Sequence, residues 1–147
     1  AQVSEGLIFK HFGNKEGLLQ GIVEWGMADA KKEVERLSAL SQPLEVIHGA
    51  LDFVLTAIKT QPEFWLTLMS LKHQSPEIAE RFHDNEMMGS LHASLQKAFA
   101  ELNYQNPEME AQFVIMLMGA LFKELSNSSA PEREQFIKLI KTKYTEK

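Results

Sequence analysis

AQVSEGLIFKHFGNKEGLL, residues 1–19, carries two helix starts separated by a break. Ser4 can cap a short helix that holds Leu7, Ile8, Phe9, His11 and Phe12. Gly13-Asn14 ends that helix. Asn14 can then cap a second helix, which opens Lys15-Glu16-Gly17-Leu18-Leu19. A short helix, a tight break and a longer helix read as the back half of a helix-turn-helix running into a third helix.

The five prolines punctuate the rest of the chain in one consistent way. Pro62, Pro76, Pro107 and Pro131 are each followed by Glu, and Pro43 by Leu44-Glu45. Proline suits the first turn of a helix, where its missing N–H is not needed, and an acid there complements the helix dipole. Thr60, Ser75, Asn106 and Ser129 stand where caps belong, and Thr60-x-x-Glu63 and Ser129-x-x-Glu132 fit capping boxes. The parse is helices over 4–11, 15–38, 43–59, 62–73, 76–102, 107–127 and 131–145. No strand pattern, internal repeat or low-complexity tract competes with it.

Apolar spacing agrees. Leu44, Ile47, Leu51, Val54 and Ile58 recur at three and four, as do Leu18, Ile22 and Trp25, and Ile78, Phe82, Met88, Leu91, Leu95, Ala98 and Leu102. The run FVIMLMGALF, Phe113 to Phe122, is apolar all round. A helix of that kind is buried on every side, so one face goes to the core and the other to a second subunit. Gly119 and Ala120 allow a close helix approach there. Phe136, Ile137, Leu139 and Ile140 give the last helix an apolar face of its own.

Composition places limits on function. The chain has 147 residues, a hydrophobic fraction of 44%, a charged fraction of 24% and no cysteine. These are the values of an ordinary globule without thiolate catalysis, disulfides or cysteine-based zinc sites, and they suit a reducing cytoplasm. No leader and no membrane span stands out. The net charge of −5 does not advertise nucleic-acid binding, and its distribution is uneven: −1 over residues 1–36, −6 over 37–130 and +2 over 131–147. No Ser/His/Asp set, phosphate-binding glycine loop or nucleotide fingerprint occurs, so an enzyme is not expected.

The first 19 residues resemble the signature of the tetracycline-repressor (TetR) family of bacterial transcription regulators. Ala1, Val3, Ser4, Gly6, His11, Phe12, Asn14, Lys15, Glu16 and Leu18 fall on the family's pattern in register. The resemblance implies an all-α, Ω-shaped homodimer. Residues 1–25 would be the end of a DNA-binding domain, and residues 26–147 an effector-binding and dimerisation domain. It implies that the first helix of the motif, and one before it, precede Ala1, so that this stretch alone would not dock on DNA. Phosphate contacts are implied for His11 and Lys15, with Ser4, Glu5, Gly6, Leu7 and Lys10 facing bases. Three positions depart from the pattern. Gln2 replaces a turn glycine, Leu7 stands where a hydroxyl is common, and Phe9 stands where a tyrosine would reach phosphate.

The same resemblance implies a small-molecule effector inside the larger domain, no cofactor, and release of operator DNA when the effector binds. Trp25, Phe53, Phe64, Trp65, Met69, Phe82, Met87, Met88, Phe113 and Met116 are the candidates for an adaptable apolar wall. The acidic middle favours a neutral or cationic molecule over an anion. The last two helices would pair with their copies as a four-helix bundle, through Met116, Gly119, Ala120, Lys123, Phe136, Ile137 and Ile140. Helix 15–38 would be the lever between the two functions, with Gly21 and Gly26 weakening it.

Two rivals belong beside this reading. Glu45…His48 and Glu80…His83 are Glu-x-x-His pairs on different helices, the spacing of dinuclear-iron bundles, with Glu24, Glu110 or Glu124 as further ligands. Against that, Glu45 and Glu80 lie near helix starts, where acids are expected for dipole reasons. The other rival is a helical dimerisation or effector module that does not bind DNA in this form.

Overall fold

Pro43, Pro62, Pro76 and Pro107 each stand at the first residue of a helix in the computed structural model, and Pro131 at the second residue of the last one. The structure describes residues 6, 10, 13, 15–83 and 85–146, without the side chains of Lys15, Glu16, Phe82 and His83. The fold is all-α, with no strand among the described residues. The helices are α1 (Lys15–Gly26), α2 (Ala28–Ser38), α3 (Pro43–Thr60), α4 (Pro62–Gln74), α5 (Pro76–His83), α6 (Glu86–Glu101), α7 (Pro107–Leu125) and α8 (Ala130–Lys141).

Local capping explains most boundaries. Ser129 Oγ accepts from the Glu132 N–H at 3.4 Å, and the Glu132 carboxylate accepts from the Ser129 N–H at 2.8 Å, completing the expected box. The Ser129 N–H, and then the Ser129 hydroxyl donating to the same carboxylate at 2.8 Å, hold the Glu132 carboxyl below the usual carboxylate range. Asn106 Oδ1 accepts from the Met109 N–H at 3.4 Å at the start of α7. At α4 the expected Thr60 box does not form. Gln61 is the cap residue there, without a side-chain bond, and the Thr60 hydroxyl donates back to the Thr56 carbonyl at 2.8 Å. A threonine inside a helix can bond to the preceding turn and is then lost to capping.

Two expected helices are divided. The stretch 76–102 breaks before Asn85, whose extended backbone and side-chain oxygen, 2.8 Å from the Met88 N–H, start α6 afresh. Asn competes with helical backbone in this way, and the run of apolar spacing across it concealed the cap. The stretch 15–38 is interrupted at Met27, next to Gly26. Hydrogen bonds from Met27 N–H to Val23 and from Lys31 N–H to Met27, both 2.9 Å, carry across the interruption.

The chain divides into two compact units, residues 1–32 and 33–147. In the first unit, Gly26, Met27 and Ala30 are buried, whereas Ile22 and Trp25 are exposed. In the second unit α3 is the central helix. Val46, Ile47, Ala50, Leu51, Val54, Ala57 and Ile58 are all buried on it, and it packs against α4, α6, α7 and α8. Gly49 is required where α2 meets α3, because a Cβ there would lie 2.5 Å from Leu37 Cδ2.

The α6–α7 hairpin shows how sequence sets a turn. Asn103 takes a left-handed φ of 60°, a position that Gly or Asn fills after a helix end. The Asn103 N–H then bonds to the Ala100 carbonyl and the Tyr104 N–H to the Phe99 carbonyl, both at 3.0 Å. That is a Schellman closure, and its accompanying apolar contact is Tyr104 against Phe99, with ring centres 4.9 Å apart. Tyr144, after α8, joins the same rings at 5.5 Å from Phe99.

The end of α8 is tied to α3. His48 Nε2 lies 3.1 Å from the Lys141 carbonyl, at the last residue of α8, and 3.0 Å from the Tyr144 carbonyl just beyond it, so the ring ties α3 to the end of α8. One turn along, Asp52 accepts from Lys141 Nζ at 2.8 and 2.9 Å. The pair is partly exposed and contributes little by itself.

Burial, with a smaller effect of Glu110 and then Tyr104, pushes the Tyr144 phenol up to about 12 from an ordinary value of 10. The neutral phenol is thus favoured in the folded chain. Its contribution is complete below pH 10 and is lost as pH rises towards 12, where the unfolded chain ionises first. Tyr144→Phe should flatten the fall in stability over that range in denaturant titrations. Equal pH slopes in the two proteins would contradict the assignment.

Candidate effector site and interaction faces

Trp65 lies at the centre of an aromatic cluster in the second unit. It is 3% exposed and stacks on Phe122 with ring centres 4.4 Å apart and planes 8° from parallel. Phe53 meets it edge-on at 5.9 Å and Phe64 at 5.3 Å. Phe53 also reaches Phe122 at 6.3 Å. Three helices supply the cluster: α3 gives Phe53, α4 gives Phe64 and Trp65, and α7 gives Phe122. Met69, one turn beyond Trp65 on α4, is buried as well. Phe53 and Phe64 are half-buried and form the outer side of the group. Burial lowers the Lys72 ammonium below the usual lysine value two turns along the same helix from Trp65.

The cluster brings together three of the ten candidate wall residues, Phe53, Phe64 and Trp65, with Phe122. Met87 and Met88 are half-buried in the first turn of α6, and the Phe82 side chain lies outside the described residues. Trp25 is 74% exposed in the first unit. Phe113 and Met116 are 55% and 65% exposed, on the outer face of α7. Phe122 was not singled out by sequence because the run containing it is uniformly apolar. The signal that could have found it is the phase of Ala111, Val114, Met118, Leu121, Phe122 and Leu125, the inward face of α7.

A row of apolar side chains lies on the opposite face of α7. Met109, Phe113 and Met116 are exposed at helical spacing, and Ala120 and Lys123 continue the row. A Cβ at Gly119 would meet nothing within 4 Å. On α8, Phe136 and Leu139 are exposed, while Ile137 and Ile140, expected beside Phe136 at an interface, are buried in the chain's own core. The reason is that α8 packs on α3 and spends that part of its surface there. Arg133 on α8 ties that helix to the end of α7, donating to the Leu125 and Ser126 carbonyls at 2.8 and 3.1 Å.

Of the candidate DNA-facing residues, Ser4, Glu5, Leu7, Phe9 and His11 lie outside the described residues. Gly6 and Lys10 are helical and exposed. Gly13 has a left-handed φ of 83°, a conformation that makes glycine the fitting residue at the break. Lys15 is the first residue of α1.

Among the described residues no group of three or more His, Asp or Glu side chains is placed to hold a metal ion. His48 instead serves the end of α8, and Glu45 is exposed. No described helix is long and apolar enough to cross a membrane. No family model, curated protein or solved structure matches the chain.

Proposed function

We propose that this chain is the effector-binding and dimerising part, together with the end of the DNA-reading motif, of a ligand-controlled transcription regulator of the tetracycline-repressor type. The observation that carries the reading is the register at the amino end. The signature residues run without a gap into Gly13 in its left-handed conformation, and a helix opens at Lys15. A lysine in a helix's first turn adds its ammonium to free backbone N–H groups, which together suit a phosphate.

The exposed apolar rows on the last two helices support a homodimer. Faces of this kind, on helices whose other sides are already packed, mark interaction surfaces. The aromatic cluster around Trp65 supports an apolar effector site. In this reading the effector favours one packing of the second unit. DNA affinity then changes by no more than the effector's preference between the two packings.

The test is DNA binding by the product of the full reading frame that encodes this sequence. Lys15→Ala should weaken binding to every duplex alike and lower the salt slope by about one, with sequence preference kept. A lost preference at unchanged overall affinity would contradict the phosphate role. Absence of any specific duplex binding by the full product would remove the regulator reading.

A further inference from the structure

The Trp65 indole carries an unmet donor. Its Nε1 is buried and has no hydrogen-bond partner, although the side chain is ringed by Phe53, Phe64 and Phe122. A buried donor left unpaired costs about 1–3 kcal/mol, and native proteins seldom carry one without a use. A phenylalanine would supply the same stacking face to Phe122 without that cost. The indole N–H is therefore the one feature of the cluster that packing does not account for.

We propose that Trp65 Nε1–H reads a hydrogen-bond acceptor on a neutral, flat, apolar effector that seats within the Phe53–Phe64–Trp65–Phe122 cluster. The proposal rests on the effector-site reading above and names the chemical class of the molecule. Flatness follows from the cluster, whose parallel Trp65–Phe122 pair and edge-on neighbours present ring faces and edges. Neutrality follows from the surroundings. Among the described residues, the buried set contains no polar or charged residue to compensate an ion. The acceptor follows from the indole, which donates and cannot accept. Entry is through Phe53 or Phe64, each half-buried and so able to turn its ring towards solvent.

The experiment uses three probes of similar size on the chain itself. Quinoline carries a ring-nitrogen acceptor, naphthalene has the same shape without one, and 2-naphthoate adds a charge. Binding is followed by the two indole N–H signals in ¹⁵N-resolved NMR, with Trp65→Phe assigning the buried one. Quinoline should bind about tenfold more tightly than naphthalene, the difference of one hydrogen bond. It should move the Trp65 N–H signal downfield, and 2-naphthoate should bind more weakly than either. Trp65→Phe should bring quinoline and naphthalene to equal affinity.

Equal affinities on the unaltered chain would overturn the proposal. So would quinoline binding that leaves the Trp65 signal in place, or failure of all three probes to bind. If Trp65→Phe does not fold, the signal shift on the unaltered chain decides. DNA binding by the full product is read separately. Quinoline selectivity without specific DNA binding by the full product keeps the site and removes the regulator reading, whereas specific DNA binding without quinoline selectivity removes the site alone.

Discussion

Met116→Glu is expected to turn the proposed α7-paired dimer into folded monomers. Met116 is 65% exposed in the single chain, so the substitution removes almost no internal packing. It sits between Phe113 and Ala120 in the outer row of α7. In a twofold pairing of that row the new carboxylate appears twice, flanked by Phe113 and Ala120, with the row's cation, Lys123, two turns away along the same helix. Burying an unpaired charge in this way costs about 3–5 kcal/mol. At about 1.4 kcal/mol per factor of ten, dissociation should become easier by at least a hundredfold. Light scattering at micromolar concentration should show the mass halve while the circular dichroism of the helices is kept. An unchanged mass would count against α7 as the interface.

The largest expected loss of stability comes from Phe99→Ala. Phe99 is 0% exposed and is the ring on which Tyr104 and Tyr144 both pack, at 4.9 and 5.5 Å. Its removal opens a cavity and also loosens two closures, the Schellman turn after α6 and the segment following α8. Large-to-small changes of this kind cost about 3–5 kcal/mol. For a chain of this size that lowers the melting temperature by roughly 10–15 °C. A fall of under about 3 °C would show that the rings close around the gap. Tyr144→Phe, which keeps the packing, should leave the melting temperature at neutral pH close to its original value, so the pair separates cavity formation from loss of the phenol.

The helical periods and the proline-acid starts were legible in the chain because each is local. Pro43, Pro62, Pro76 and Pro107 fall at the first residue of their helices, and the Ser129 box forms as written. The weak points were also local. Thr60 and Asn85 can each make more than one short-range bond, and composition does not say which one wins. Thr60 bonds backwards into α3, while Asn85 starts a new helix. The candidate site was less legible. Trp25 and Trp65 both lie at helical spacing among apolar neighbours, yet one is exposed and the other is at the centre of a cluster. Periodicity gives a face its phase but does not say what meets it.

That the protein is built of helices, and where most of them start, was settled by interactions reaching three or four residues along the chain. Which side of α7 turns inward, which tryptophan keeps an unmet donor, and why His48 serves the end of α8 were settled by contacts between distant segments. His48 and Tyr144 meet across 96 positions. Such a meeting depends on the packing of α3 against α8, and no stretch of neighbouring residues encodes that packing.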